Sequence, residues 1–127
     1  MKIILVDAIN TLILKGEGIF EKMLQLLEEY PNKKIVLTNA DDEQIKMFGL
    51  DDIPYKLFTL KHKPEKTNPL YYQILLEHLN LNKDEVIYFE HNKDAVNSAK
   101  SIGINTYHYD ENKKDLAELK KFIDSNI

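Results

Sequence analysis

Five short apolar runs alternate along the chain with amphipathic segments, and this alternation constrains the fold more than any other feature of the sequence. The runs are Lys2 to Val6, Lys34 to Leu37, Lys56 to Leu60, Val86 to Phe89 and Asn105 to Tyr109. Their richness in Ile, Val, Leu, Tyr and Phe, at strand length, reads as β structure. Between them, Glu17 to Tyr30 sets Ile19, Phe20, Met23, Leu26 and Leu27 on one helical stripe and stops before Pro31-Asn32. Asp41 to Phe48 reads as a short helix closed by Gly49. Asn68-Pro69 offers a cap and a first-turn proline to a helix reaching about Asn80, with Leu70, Ile74 and Leu75 facing inward. Asn92 can cap a helix ending at Gly103, and Asp110 the last one, whose apolar face is Leu116, Leu119 and Phe122.

Strands that are apolar throughout belong to a sheet covered on both faces, and strands separated by helices belong to parallel crossovers. The expected fold is therefore α/β: a doubly wound three-layer sandwich around a five-stranded parallel sheet. At 127 residues it is expected to be one domain, 1–127. A 43% hydrophobic and 30% charged composition suits a folded globular chain rather than a disordered one.

The formal charge is -4, and no basic stripe with interleaved aromatics is present, so nucleic acid is not an expected partner. No apolar span is long enough for a membrane, and none of the chain reads as a signal peptide; with no Cys, this suggests a cytoplasmic protein. The missing Cys also excludes thiolate nucleophiles and thiolate-bound metals. Every basic side chain is Lys, so an anion would be held by Lys charges and backbone N–H groups, without the bidentate fork of an arginine.

Doubly wound sheets place ligands beyond the carboxyl ends of their strands. There the sequence offers Asp7, then Thr38-Asn39, then the Lys61 to Lys66 loop, then Glu90 to Asp94. A carboxylate to attack phosphorus, donors for phosphate oxygens, a cation for developing charge and further acids for Mg²⁺ make a phosphoryl-transfer inventory.

In this order the motifs resemble those of the haloacid dehalogenase superfamily. VDAINTL matches its first motif, D-x-D-x-T, with Asp7 as nucleophile and Thr11 in place; IVLTN matches the second with Thr38. KTNPLYYQILLEHLNL, Lys66 to Leu81, aligns with the stretch that carries the motif lysine, making Lys66 the candidate ahead of Lys63. YFEHNKDAVNSAKSIGI, Tyr88 to Ile104, has the frame of the fourth motif. The resemblance covers essentially the whole chain. It implies an aspartyl-phosphate at Asp7, phosphate contacts from Thr38, Asn39 and Lys66, and Mg²⁺ held by Asp7, the Ile9 carbonyl, Glu90 and Asp94. The short segments between motifs imply a capless member, and such members act on macromolecules or borrow a partner's surface as a lid. The implied substrate is a phosphorylated small molecule or protein.

Two departures stand out. The family's second acid, which protonates the leaving group and later activates water, is Ile9 here, and the usual acids of the fourth motif are displaced to Glu90 and Asp94. They leave open a non-catalytic binding module on the same fold. The D-A-x-x-T wording also touches the dehalogenases proper, which lean on a cap that this chain lacks. A phospho-receiver domain would carry its acceptor Asp after the third strand, not the first. His91 reads as a solvated or hydrogen-bonded structural histidine, and Tyr71 and Tyr72 as helix packing.

Overall fold

The computed structural model describes residues 1–127. The five expected strands are present as β1 (Ile3–Asp7), β4 (Lys34–Thr38), β5 (Lys56–Thr59), β6 (Val86–Glu90) and β7 (Asn105–His108). They form one sheet in the order β5-β4-β1-β6-β7, with every neighbouring pair parallel. The chain thus winds outward from β1 first to one side and then to the other, so β1 is central and the strand order reverses beside it. Five helices complete the three layers: α1 (Glu21–Glu28), α2 (Asp42–Met47), α3 (Leu70–Leu79), α4 (Lys93–Ser101) and α5 (Leu116–Asn126).

Successive strand residues point to opposite faces, so each strand feeds both cores. Ile4, Val6, Val36, Ile87 and Phe89 pack with Met23 and Leu27 of α1 and Leu119 and Ile123 of α5. Leu5, Ile35, Leu37, Val86 and Tyr88 pack with Tyr71, Tyr72 and Leu75 of α3 and Ala99 of α4. This burial on both faces explains why the strands show no alternation of apolar and polar residues.

The first helix departs from the sequence expectation. Residues 13–19 form a small hairpin instead, β2 (Ile13–Leu14) against β3 (Gly18–Ile19), and α1 begins only at Glu21. Gly16 and Gly18 both lie at positive φ, 77° and 84°, which a helix cannot use and a tight reversal can. The Phe20 N–H bonds the Leu12 carbonyl at 2.8 Å and ties the hairpin's exit back to its entry.

Two local assignments also change. Asp110 accepts from the N–H groups of Asn112 and Lys113 and so closes a turn; Asp115, accepting from Glu118, caps α5. In α3 the buried side chains are Tyr71, Tyr72 and Leu75, whereas Leu70 is 46% exposed. The larger tyrosine rings take the inward stripe, Tyr71 meeting Phe58 edge-on and Tyr72 packing on Tyr88. Packing of those two tyrosines against the sheet follows the expectation.

Candidate active site

Strand parity builds the centre of the site. Asp7 ends β1 on the same face as Leu5, and Glu90 ends β6 on the same face as Tyr88; Leu5 pairs with Tyr88 and Val6 with Phe89, so the two acids fall side by side. Like charges directly across a strand pair are unfavourable, more so when both are fully buried, as these are. The resolution comes from the face they share. It is the α3 face, and the loop leading into α3 delivers Lys66, whose Nζ lies 2.7 Å from Asp7 Oδ1 and 2.8 Å from Glu90 Oε1. A third bond runs from Nζ to the Leu37 carbonyl at 3.3 Å, while the Lys66 backbone N–H is held by Asn39 Oδ1 at 2.7 Å.

The other Asp7 oxygen, Oδ2, accepts the Thr11 hydroxyl at 2.7 Å and the His91 backbone N–H at 3.1 Å. His91 Nδ1 also contacts this oxygen and lies 3.3 Å from Glu90 Oε2. Thr11 can reach back because the chain turns sharply after Ala8, whose carbonyl accepts from the Leu12 and Ile13 N–H groups at 2.9 Å each, with Asn10 left-handed at φ 68°. Glu90 Oε2 accepts the Asn92 N–H at 3.0 Å, and Tyr88 donates its hydroxyl to Oε1.

The charges follow from these contacts. Burial works to raise the Asp7 carboxyl, but the Lys66 ammonium and the bonds from His91 outweigh it and hold Asp7 well below the usual carboxylate range. Burial and the adjacent Asp7 charge push Glu90 up to about 7, with Lys66 opposing them. Burial works to lower Lys66, yet the two carboxylates keep it above the ordinary lysine range and therefore charged. His91 is likewise raised, against the effect of burial, by its bond to Asp7.

Asp7, Thr38, Asn39, Lys66, Glu90 and His91 line one open cavity of about 270 Å³ at the carboxyl ends of β1, β4 and β6. Thr38 is buried with its hydroxyl accepting the Ala40 N–H at 3.2 Å. Lys63 is exposed, so Lys66 is the lysine that meets Asp7.

Comparison with solved structures places this architecture. A dehalogenase is 24% identical over 70% of the chain, with a TM-score of 0.58, and the chain spans only 42% of that protein. A HAD-family enzyme from Bacteroides thetaiotaomicron, an aspartate-to-alanine variant in complex with magnesium and inorganic phosphate, aligns over 94% of this chain and 98% of its own at 15% identity, with a TM-score of 0.65. The chain has the haloacid dehalogenase fold. A HAD-superfamily hydrolase of subfamily IA from Geobacter sulfurreducens shares it as well, over 86% of this chain and 87% of its own at 13% identity, with a TM-score of 0.56. No protein-family model matches the sequence, and no curated protein matches it.

The alignment with the Bacteroides enzyme spans the parallel sheet and its flanking helices, the core of the fold. Within that core, two expectations for the metal change. Asp94 is exposed on the first turn of α4 and does not line the cavity, because Ala95, Val96 and Ala99 take the helix's buried face and leave Asp94 on the solvent side. His91, expected as a solvated or hydrogen-bonded histidine, is hydrogen-bonded to Asp7 at the centre of the network. Asp7, Glu90 and His91 turn one donor atom each toward a common point, all within 4.8 Å of one another. Two carboxylates and an imidazole, one strand end apart, fit a divalent cation. Ile9 lines the cavity with its side chain half-buried against the α1 core, leaving no acid on that side of Asp7. No helix is long and apolar enough to cross a membrane.

Proposed function

We propose that the chain is a hydrolase or phosphotransferase of the HAD type, working through an aspartyl-phosphate at Asp7. The observation that carries this reading is the pairing of a buried, ionised Asp7 with the Lys66 ammonium at the mouth of the central strand, facing an open cavity that also presents Thr38. An ionised carboxylate is a competent nucleophile toward phosphorus, and a fixed cation beside it meets the charge that develops on the transferring group.

An Asp7 oxygen forms the new bond to phosphorus, and the bond from phosphorus to the substrate oxygen breaks, its electron pair leaving with that oxygen. In this reading Thr38, Asn39 and Lys66 receive the phosphate oxygens, and Asn39 holds the Lys66 backbone so that the ammonium stays between the acids. Water, or another acceptor, then displaces Asp7 from phosphorus and regenerates the carboxylate. With Ile9 on the leaving-group side, that oxygen departs without a proton from the protein, which restricts good substrates to phosphate esters or anhydrides with stable leaving groups. Asp7 and Glu90, with His91, would hold a divalent cation, whose contribution when bound is to neutralise phosphate charge. The substrate is a phosphorylated small molecule or protein, reaching a site that has no cap and is open to a partner surface.

One observation favours a binding module on the same fold. Both Asp7 oxygens are engaged by the protein's own donors, and the acid partner is absent at Ile9. Calorimetric titration of beryllofluoride with a divalent cation separates the two readings. Binding to the wild type and none to Asp7→Asn supports the enzyme; no binding to either protein supports the module.

A further inference from the structure

We propose that His91 is a direct metal ligand, and that Asp7, Glu90 and His91 together form a mixed carboxylate and imidazole centre selecting a transition metal of the Mn²⁺, Fe²⁺ or Zn²⁺ class over Mg²⁺. The inference stands on the donor set and does not depend on catalysis.

Three features of the geometry support it. First, Lys66 engages Asp7 Oδ1 and Glu90 Oε1, and these are the oxygens turned away from the histidine. The other two oxygens, Oδ2 and Oε2, are the ones His91 Nδ1 faces, the latter at 3.3 Å; Oδ2 also accepts from Thr11 and the His91 N–H and Oε2 from the Asn92 N–H, and an ion here displaces the proton between Nδ1 and Oδ2 to solvent. Three donors converge from two adjacent strand ends, and the lysine cancels part of the negative charge without entering the donor set.

Second, the imidazole is held in place from behind. The His91 N–H bonds Asp7 at 3.1 Å, and His108 Nε2 bonds the His91 carbonyl at 2.9 Å, so its backbone is fixed from β1 and from β7. Its Nδ1 points inward while the ring remains half-buried at the cavity wall, which leaves Nε2 free to carry the proton when Nδ1 is the ligand. These bonds fix the backbone that carries the ring, so little order is lost when Nδ1 takes a ligand.

Third, the chemistry of the set is wrong for a strict magnesium site. Mg²⁺ takes oxygen donors in near-ideal octahedral geometry and sheds water reluctantly, whereas imidazole suits Zn²⁺, Fe²⁺ and related ions. Asp94, the acid that would have completed an oxygen-only set, faces solvent.

Electron spin-echo spectroscopy of Mn²⁺ added to the wild-type protein reads the ligand directly. Directly bound nitrogen gives a modulation that disappears when histidine is labelled with nitrogen-15, and this signal is the expected result. Competition by Mg²⁺ against bound Mn²⁺ should require at least about a hundredfold excess, and His91→Ala, which removes a ligand outright, should weaken Mn²⁺ binding by at least the roughly tenfold that loss of an outer-shell partner costs. His91→Asp, which restores an all-oxygen set, should narrow the preference for Mn²⁺ over Mg²⁺; thermal melts of both variants confirm folding. Bound Mn²⁺ without nitrogen modulation, equal competition by Mg²⁺, or no Mn²⁺ binding at all overturns the proposal. None of these results bears on whether Asp7 can be phosphorylated, which is read separately.

Discussion

Replacing Lys66 with Met keeps the length of the side chain while deleting the ammonium that separates two buried carboxylates. Nζ stands 2.7 Å from one acid and 2.8 Å from the other, with side chains 8%, 1% and 0% exposed for Lys66, Asp7 and Glu90. At an effective dielectric of about 20, each such pair is worth about 6 kcal/mol of Coulomb attraction before desolvation is subtracted. Desolvation consumes much of it, and removing one member of a buried pair typically costs about 3–5 kcal/mol because the orphaned charge stays buried. For a domain of this size that corresponds to a drop in melting temperature of about 10–20 °C. Urea denaturation followed by circular dichroism should show a lower midpoint with an unchanged slope. Without the lysine the acids compete for a proton, so Glu90 rises further and the variant's deficit should narrow at acid pH. The triple variant Lys66→Met, Asp7→Asn, Glu90→Gln leaves no charge in the cluster and should recover more than half of the loss. A single-variant loss below about 1 kcal/mol, the range of exposed pairs, would refute the reasoning.

Glu90 is raised from 4.5 to about 7, so in metal-free protein the folded state binds more protons than the unfolded state between those values. Stability should therefore fall as pH rises through that window, by no more than about 3 kcal/mol, and Glu90→Gln should flatten the profile when melts are compared across pH. Asp7, being depressed, adds no slope there: its contribution is complete above its ordinary value of 3.8 and is lost only at lower pH. Ile9→Asp should raise turnover of phosphate esters by about 10²–10⁴ through restored proton transfer, and a folded variant with unchanged turnover would contradict that role. Wild-type activity should favour acyl and aryl phosphates over sugar phosphates, a ranking that a panel of leaving groups with graded acidity checks directly.

The layers of the fold and the placement of the site were legible in the sequence because burial on both faces writes itself as unbroken apolar runs, and such runs end where the sheet meets ligands. Lys66 was singled out from its loop by the resemblance to the family's motif-lysine stretch, whereas Asp7 and Glu90 could be found by position, since each ends a strand. The β2–β3 hairpin was not, because Ile19, Phe20, Met23 and Leu26 continue a helical stripe through a segment in which only Gly16 and Gly18 mark the reversal. His91 was read as a solvated or hydrogen-bonded histidine, and its position across both acids was not legible for a different reason. A lone histidine after a strand carries no spacing signal; its role arises from parity, which puts Asp7 and Glu90 on one face and turns the next residue's ring across both. That parity was available in the register of Leu5 with Tyr88, but only once the β1–β6 pairing was known. Asp94 shows the converse: a four-residue separation from Glu90 is conspicuous in sequence, while the start of α4 turns the side chain out to water.

The central claim is that Asp7 accepts a phosphoryl group. Incubation of the wild-type protein with acetyl phosphate and a divalent cation, acid quench, and mass spectrometry of the peptide spanning Asp7 tests it most directly. A single phosphoryl increment on Asp7, persistent because Ile9 cannot activate water and absent from Asp7→Asn, is the expected result; an unmodified Asp7 in folded, metal-loaded protein would contradict it.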